Sequence, residues 1–192
     1  MAAAPKVIDD KFICDWEYQY DNIEGDEPEY KRLLNRVNSD IEKSGTLTEQ
    51  TFTDILDWKS SRVKGKIEWD RIGTYFNTIK KCHEVAGIEK MSLLYKLPGI
   101  GAPVASTFLH FIYPFSYPII DRRTVDVLRY IGYIRYKSTD INQYPAFMEA
   151  ILSIQKACPK WSLREIDRAL FAYHKKNPDL FGTLSKPCNR GF

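Results

Sequence analysis

The feature that most limits how this chain can fold is a glycine-punctuated turn, Leu97-Pro98-Gly99-Ile100-Gly101, between two apolar segments of helical period. Pro98 cannot continue the helix before it, while Ala102-Pro103 opens the next one, because proline is well tolerated in a first helical turn. Gly99 and Gly101 can take positive φ and let a second backbone approach closely. The N–H groups of the two glycines and of the first turn beyond are left without partners and converge beside a helix N-terminus, a setting that suits a phosphate. A tight turn holding no ligand is the other reading of these five residues. A proline- and aromatic-rich link from Tyr113 to Pro118 follows, and the chain then delivers Asp121 at the mouth of a further helix.

Helical period recurs on both sides of this stretch. Expected helices run over 28–44, closed by Gly45; 46–59, with Thr46 and Glu49 as a capping box; 69–86; 88–96; and 102–112. Three more are expected at 122–133, 143–157 and 162–176, the last capped by Ser162 with Glu165. No segment alternates with strand period, and there is no internal repeat. The expectation is an all-α chain of seven to nine helices, divided into an arm (1–30) and a helical domain (31–192) of one body or two lobes. The arm is acidic and aromatic, and Gly25 and Pro28 make it look loop-rich, with its rings lying on the main body. The tail from Phe181 is expected to be irregular.

At 192 residues and 44% hydrophobic, the chain can bury a substantial core. It has no run of 18 apolar residues, so no membrane span is expected. The opening MAAAPKVIDD lacks a charged segment leading into an apolar one, so no secretory signal is expected. Cys14, Cys82, Cys158 and Cys188 are scattered, which fits reduced thiols inside the cell, in cytoplasm, nucleoid or nucleus, and argues against a zinc or iron–sulfur site. Residues 1–30 carry nine acidic and two basic side chains, a net of −7, so the remainder carries +10. A basic body suits a polyanion partner.

The stretch LPGIG, the small-residue helix after it (Ala102, Val104, Ala105, Ser106), the link, and Ile119-Ile120-Asp121 with a helix beyond form one ordered pattern. It resembles the helix–hairpin–helix DNA glycosylase superfamily, the endonuclease III-like enzymes, over about residues 69–133, and less closely to 176 through Arg164-Glu165-Ile166-Asp167-Arg168-Ala169-Leu170. The resemblance implies that Asp121 is the catalytic carboxylate. It also implies a monofunctional hydrolase, because Pro103 stands where lyase members carry a lysine. Arg123 replaces a frequent histidine, and the family's four-cysteine iron–sulfur cluster is missing. Double-stranded DNA is the implied partner. A monovalent cation on the hairpin carbonyls is the one cofactor option, and no metal site is expected.

Cleavage of a glycosidic bond builds positive charge on the sugar, which a nearby carboxylate stabilises while orienting water. The flipped base needs aromatic walls, for which Trp58, Trp69, Tyr75, Tyr113, Phe115 and Tyr117 are candidates. Phosphate contacts are expected from Gly99, Ile100 and Gly101, from Lys96, Arg122 and Arg123, and from a basic loop carrying Lys59, Arg62, Lys64 and Lys66. His83 has no evident second ligand. Asp121 as a plain helix N-cap, in a non-catalytic helix–hairpin–helix DNA-binding module, is the alternative. A helical protein-interaction domain with the acidic arm as its contact segment is the third reading.

Overall fold

The computed structural model describes residues 7–181, and every regular element among them is helical. Ten α-helices occur in order: α1 (Asp10–Glu17), α2 (Glu27–Ser44), α3 (Glu49–Ser60), α4 (Ile72–Cys82), α5 (Ile88–Tyr95), α6 (Ala102–Ile112), α7 (Arg122–Ile131), α8 (Tyr144–Ala157), α9 (Leu163–Lys176) and α10 (Pro178–Phe181). Short 3-10 turns occupy Ser61–Lys66, Trp69–Arg71 and Ile141–Gln143. The all-α expectation holds, and the count exceeds seven to nine through the short α1 and α10. Residues 1–6 and the expected irregular tail beyond Phe181, with Cys188, lie outside the described residues.

Helix α6 is the centre of one group of helices. Residues Ala102 and Val104 through Phe111 are all buried, and the helix packs against α2, α3 and α5. Its Phe108 stacks on Phe52 of α3, with ring centroids 4.7 Å apart. His110 is buried between the Tyr117 carbonyl (Nδ1, 2.9 Å) and the Tyr30 hydroxyl (Nε2, 2.9 Å). Nδ1 must donate to the carbonyl, so Nε2 accepts from Tyr30, and burial lowers the ring's pKa to about 4. A second group, α1, α7, α8 and α10, gathers around α9. One continuous hydrophobic core joins both groups.

The described part of the arm, 7–30, is half helical, with turns over 18–26 between α1 and α2. Asp9 caps α1 by accepting the Phe12 N–H at 2.8 Å, and Ile8, Phe12 and Ile13 are buried in the common core. Phe12 and Trp16 pack on Tyr173 of α9, at 5.2 and 5.0 Å between centroids. Five of the arm's nine acids, Glu17, Asp21, Glu24, Asp26 and Glu27, are counter-charge to α9. Arg168 meets Glu17 (3.0 Å), Asp21 (2.9 Å) and Glu27 (3.1 Å), and Arg164 meets Asp26 (2.8 Å). The expected boundary at residue 30 falls inside α2.

Two further local expectations are corrected. The N-cap of α3 is Thr48, which accepts from the Thr51 N–H, rather than Thr46 in a box with Glu49. Thr46 instead donates its hydroxyl to the Phe76 carbonyl at 3.0 Å, which removes it from capping. The basic segment 58–66 is not a flexible loop: it is the last turn of α3 followed by the 3-10 turn. Trp69 Nε1 donates to the Lys64 carbonyl (3.0 Å), and the Tyr75 hydroxyl accepts from the Glu68 N–H (3.2 Å) and donates to the Pro98 carbonyl (2.7 Å). Those aromatic side chains tie the basic turn to the α5–α6 hairpin.

At the hairpin itself, Gly99 has φ +76°, and a Cβ built there would lie 2.3 Å from the Lys66 carbonyl oxygen. Only glycine fits both the backbone angle and the neighbour. Gly99→Ala is expected to destabilise the protein by about 2–4 kcal/mol, combining left-handed strain with a backbone clash. Gly73→Ala, on an exposed position of α4 with nothing within 4 Å, should be neutral or stabilising by up to about 1 kcal/mol. Urea unfolding of the two variants measures the contrast.

Candidate functional site

The link after α6 runs back along that helix, and the Ile120 N–H donates to Ser106 Oγ at 3.1 Å. The small residues of α6 let this segment dock closely, and Asp121 is delivered as the N-cap of α7. Its two carboxylate oxygens have separate tasks. Oδ1 accepts the Arg123 N–H at 2.9 Å, while Thr124 Oγ1 accepts the Asp121 N–H at 3.2 Å, forming a capping box. Oδ2 faces Lys59 Nζ at 3.4 Å, with side-chain exposures of 23% for Asp121 and 16% for Lys59.

Both side chains line a cavity of about 310 Å³ between the two helix groups. The end of α3 contributes Trp58 and Lys59, and the entry to α7 contributes Ile119, Asp121 and Arg123. The arm supplies Tyr20, Glu24 and Asp26, and α9 supplies Arg164, Asp167, Phe171 and Lys175. Arg164 braces these walls. It pairs with Asp167 (3.0 Å) and Asp26 (2.8 Å), and its guanidinium lies over Tyr20 (5.0 Å), Tyr30 (4.8 Å) and Trp58 (5.1 Å). Arg123 lies over Phe171 at 4.8 Å, and Lys175 pairs with Glu24 at 3.4 Å.

The two carboxylates shared by α7 and α9 are driven to opposite protonation behaviour. Burial alone would raise Asp121, but the Lys59 ammonium, the Arg123 N–H and the Arg123 charge outweigh it and hold the carboxyl below its ordinary value. Burial dominates at Asp167 and pushes it up to about 6, against the pull of Arg164 and Lys59 and with help from the Asp121 charge. One pocket thus holds two carboxylates with opposite shifts, Asp121 lowered and Asp167 raised.

Of the residues expected from sequence, Asp121, Lys59, Arg123 and Trp58 come together here. Lys59 turns inward to Asp121 instead of outward to phosphates. Arg122 reaches back along α7 to Asp126 (3.0 Å), and Lys64 pairs with Asp57 (2.7 Å). Ile100 is buried and gives its N–H to the Leu97 carbonyl, so its side chain is no DNA contact. The N–H groups of Gly99 and Gly101 meet no backbone acceptor among the described residues, and Arg62, Lys66 and Lys96 are exposed. The Leu97, Pro98 and Gly101 carbonyls accept hydrogen bonds within the chain.

The other expected walls lie elsewhere. Trp69 and Tyr75 brace the basic turn. Tyr113 bonds to His83 Nδ1 (2.8 Å) and Tyr117 donates to the Gly87 carbonyl (2.9 Å), both at the far end of α6 from the hairpin. Phe115, between them in the link, is 80% exposed. Sequence reasoning missed the α9 and arm walls. A signal was present: Arg164, Asp167, Phe171 and Lys175 repeat at helical spacing, which sets them along one side of a charged, amphipathic helix.

A larger cavity of about 430 Å³ lies between residues 133–136 and α8, with Arg135 and Glu149 as its charged lining and no paired carboxylates. Among the described residues, no cluster of three or more His, Cys, Asp or Glu side chains is placed to hold a metal ion, and no helix is long and apolar enough to cross a membrane. Comparison with known proteins finds no matching family model, no matching curated protein and no matching solved structure.

The opposite shifts predict opposite pH effects. Asp167 binds its proton more tightly folded (about 6) than as an unfolded aspartic acid, at about 3.9. Its stabilising contribution is therefore full below the unfolded value and lost as pH rises through about 6. Asp121 contributes above the unfolded value and loses that contribution as pH falls through its depressed folded value. Urea melts across this range should show a decline in stability between about pH 4 and 6 that Asp167→Asn flattens. Asp121→Asn should instead reduce the loss on the acid side.

Proposed function

We propose that the protein is a helix–hairpin–helix DNA glycosylase that hydrolyses the N-glycosidic bond of a modified base in duplex DNA. The observation that carries this reading is Asp121, an ionised carboxylate with one oxygen fixed by its helix and the other facing a cavity. The cavity, at about 310 Å³, is at the small end of ligand pockets and suits a single flipped base. Trp58, Tyr20 and Phe171 offer faces for stacking. As the base departs, the Asp121 charge stabilises the sugar cation and orients a water for attack on C1′.

Outside the pocket, the N–H groups of Gly99 and Gly101, which meet no backbone acceptor among the described residues, suit a backbone phosphate. The basic turn backs onto the same hairpin through the Lys66–Gly99 contact, which sets exposed Arg62 and Lys66 near it. Among the described residues, the Gly99 and Ile100 carbonyls accept no backbone hydrogen bond, which leaves them for a monovalent cation. The capping role of Asp121 favours the second reading, a DNA-binding module that keeps the scaffold without chemistry. Glu17, Asp21 and Asp26 of the arm are engaged with α9, which weighs against the arm as a protein-contact segment.

Asparagine caps helices as well as aspartate, so Asp121→Asn removes the charge while leaving α7 intact. Incubation with a panel of duplexes carrying damaged bases should show release by the wild type and a fall of about 10²–10³-fold in the variant, with salt-sensitive duplex binding retained. Duplex binding with no base released by the wild type would establish the module instead.

A further inference from the structure

We propose that Asp167 accepts a hydrogen bond from a 2′-hydroxyl on the target sugar, so that the nucleotide losing its base is a ribonucleotide. The inference rests on the N-glycosidic reading of the pocket and goes beyond it in naming the sugar.

Three observations carry it. Asp167 lines the same cavity as Asp121, on α9, which packs against α7. The two carboxylates are near enough for the Asp121 charge to act on Asp167. The oxygens of Asp167 are unequally used. Oδ2 accepts from Arg164 Nη1 at 3.0 Å, while Oδ1 meets no donor among the described residues and is not sealed from solvent. The other acids of the cavity offer no such oxygen beside Asp121. Asp26 commits Oδ1 to Arg164 (2.8 Å) and Oδ2 to the Tyr20 hydroxyl (3.1 Å), and Glu24 is exposed on the arm.

A carboxylate oxygen that loses water to a substrate needs a donor from that substrate, because leaving it unpaired is costly. With Asp121 Oδ2 against C1′, the groups one bond away are the base nitrogen and C2′. The base nitrogen carries no proton. C2′ carries only hydrogen in deoxyribose, but a hydroxyl in ribose, the group by which a protein tells the two sugars apart. The 2′-oxygen withdraws electrons from the developing sugar cation. A hydrogen bond from it to a carboxylate returns density, and hydrogen bonds at this position strengthen as a glycosidic bond breaks. Water adds its oxygen to C1′ and gives up a proton. The base leaves with the C1′–N electron pair and takes up a proton.

Base release by the full-length protein is measured on duplexes of one sequence and one damaged base. The target sugar carries 2′-hydrogen, 2′-hydroxyl or 2′-methoxy. Hydroxyl and methoxy withdraw electrons alike, and only the first can donate, so the wild type should act at least about tenfold faster on the hydroxyl duplex. Asp167→Asn keeps an oxygen for Arg164 and turns an amide donor toward the cavity. It should lower the hydroxyl-to-hydrogen ratio of rates at least about tenfold. Comparing ratios cancels the intrinsic difference between the sugars. Equal wild-type release from hydroxyl and methoxy duplexes, release from the 2′-hydrogen duplex alone, or a ratio unmoved by Asp167→Asn overturns the role of Asp167 while sparing the glycosylase. Release from neither the hydrogen nor the hydroxyl duplex, across the panel of damaged bases, overturns both.

Discussion

The interaction on which the rest depends is the burial of two guanidinium groups on α9. Arg164 and Arg168 have side chains only 6% exposed, a placement that would be prohibitive for unpaired charges. Each is compensated by carboxylates from the arm, and Arg164 also by aromatic faces from α2, α3 and the arm. The arm is therefore bound to α9 by charge as well as by the Phe12 and Trp16 contacts. That attachment brings Tyr20, Glu24 and Asp26 to the cavity and closes one side of it.

Asp121 shows how local helix chemistry becomes site chemistry. An N-cap is held rigidly because its side chain and backbone bond to the first turn, and the dipole of α7 favours its negative form. The link that carries it is positioned by a hydroxyl on the small-residue face of α6. Capping uses one oxygen, so the other is free to face Lys59 and the cavity. Structural and chemical readings of this residue are compatible.

Much of this was legible in the sequence because it depends on local pattern. Apolar period marked α2 and α4 through α9 closely, and Ser162 with Glu165 forms the capping box expected of that spacing. The reversal at Gly99 also follows from residue chemistry alone. What stayed hidden was set by long-range pairing. The acids of the arm gave it the look of a loop-rich segment because their arginine partners lie some 140 residues away, as with Arg164 and Asp26, separated by 138. Lys59 looked like one cation among several, since only the packing of α3 against α6 turns it toward Asp121. Tyr75 and Trp69 looked like walls because an aromatic residue gives no sign of which carbonyl its polar tip will find.

The cavity draws its lining from Tyr20 at one extreme and Lys175 at the other, with α3 and α7 between. During synthesis the first wall is made long before the last, and α1 has no α9 to pack against until nearly all of the described chain has emerged. Closure of such distant contacts is the slow part of folding. A chain arrested before α9 exposes the apolar face of α1 and has no pocket. Possession of a formed site is in this way a report that the arm and α9 have met.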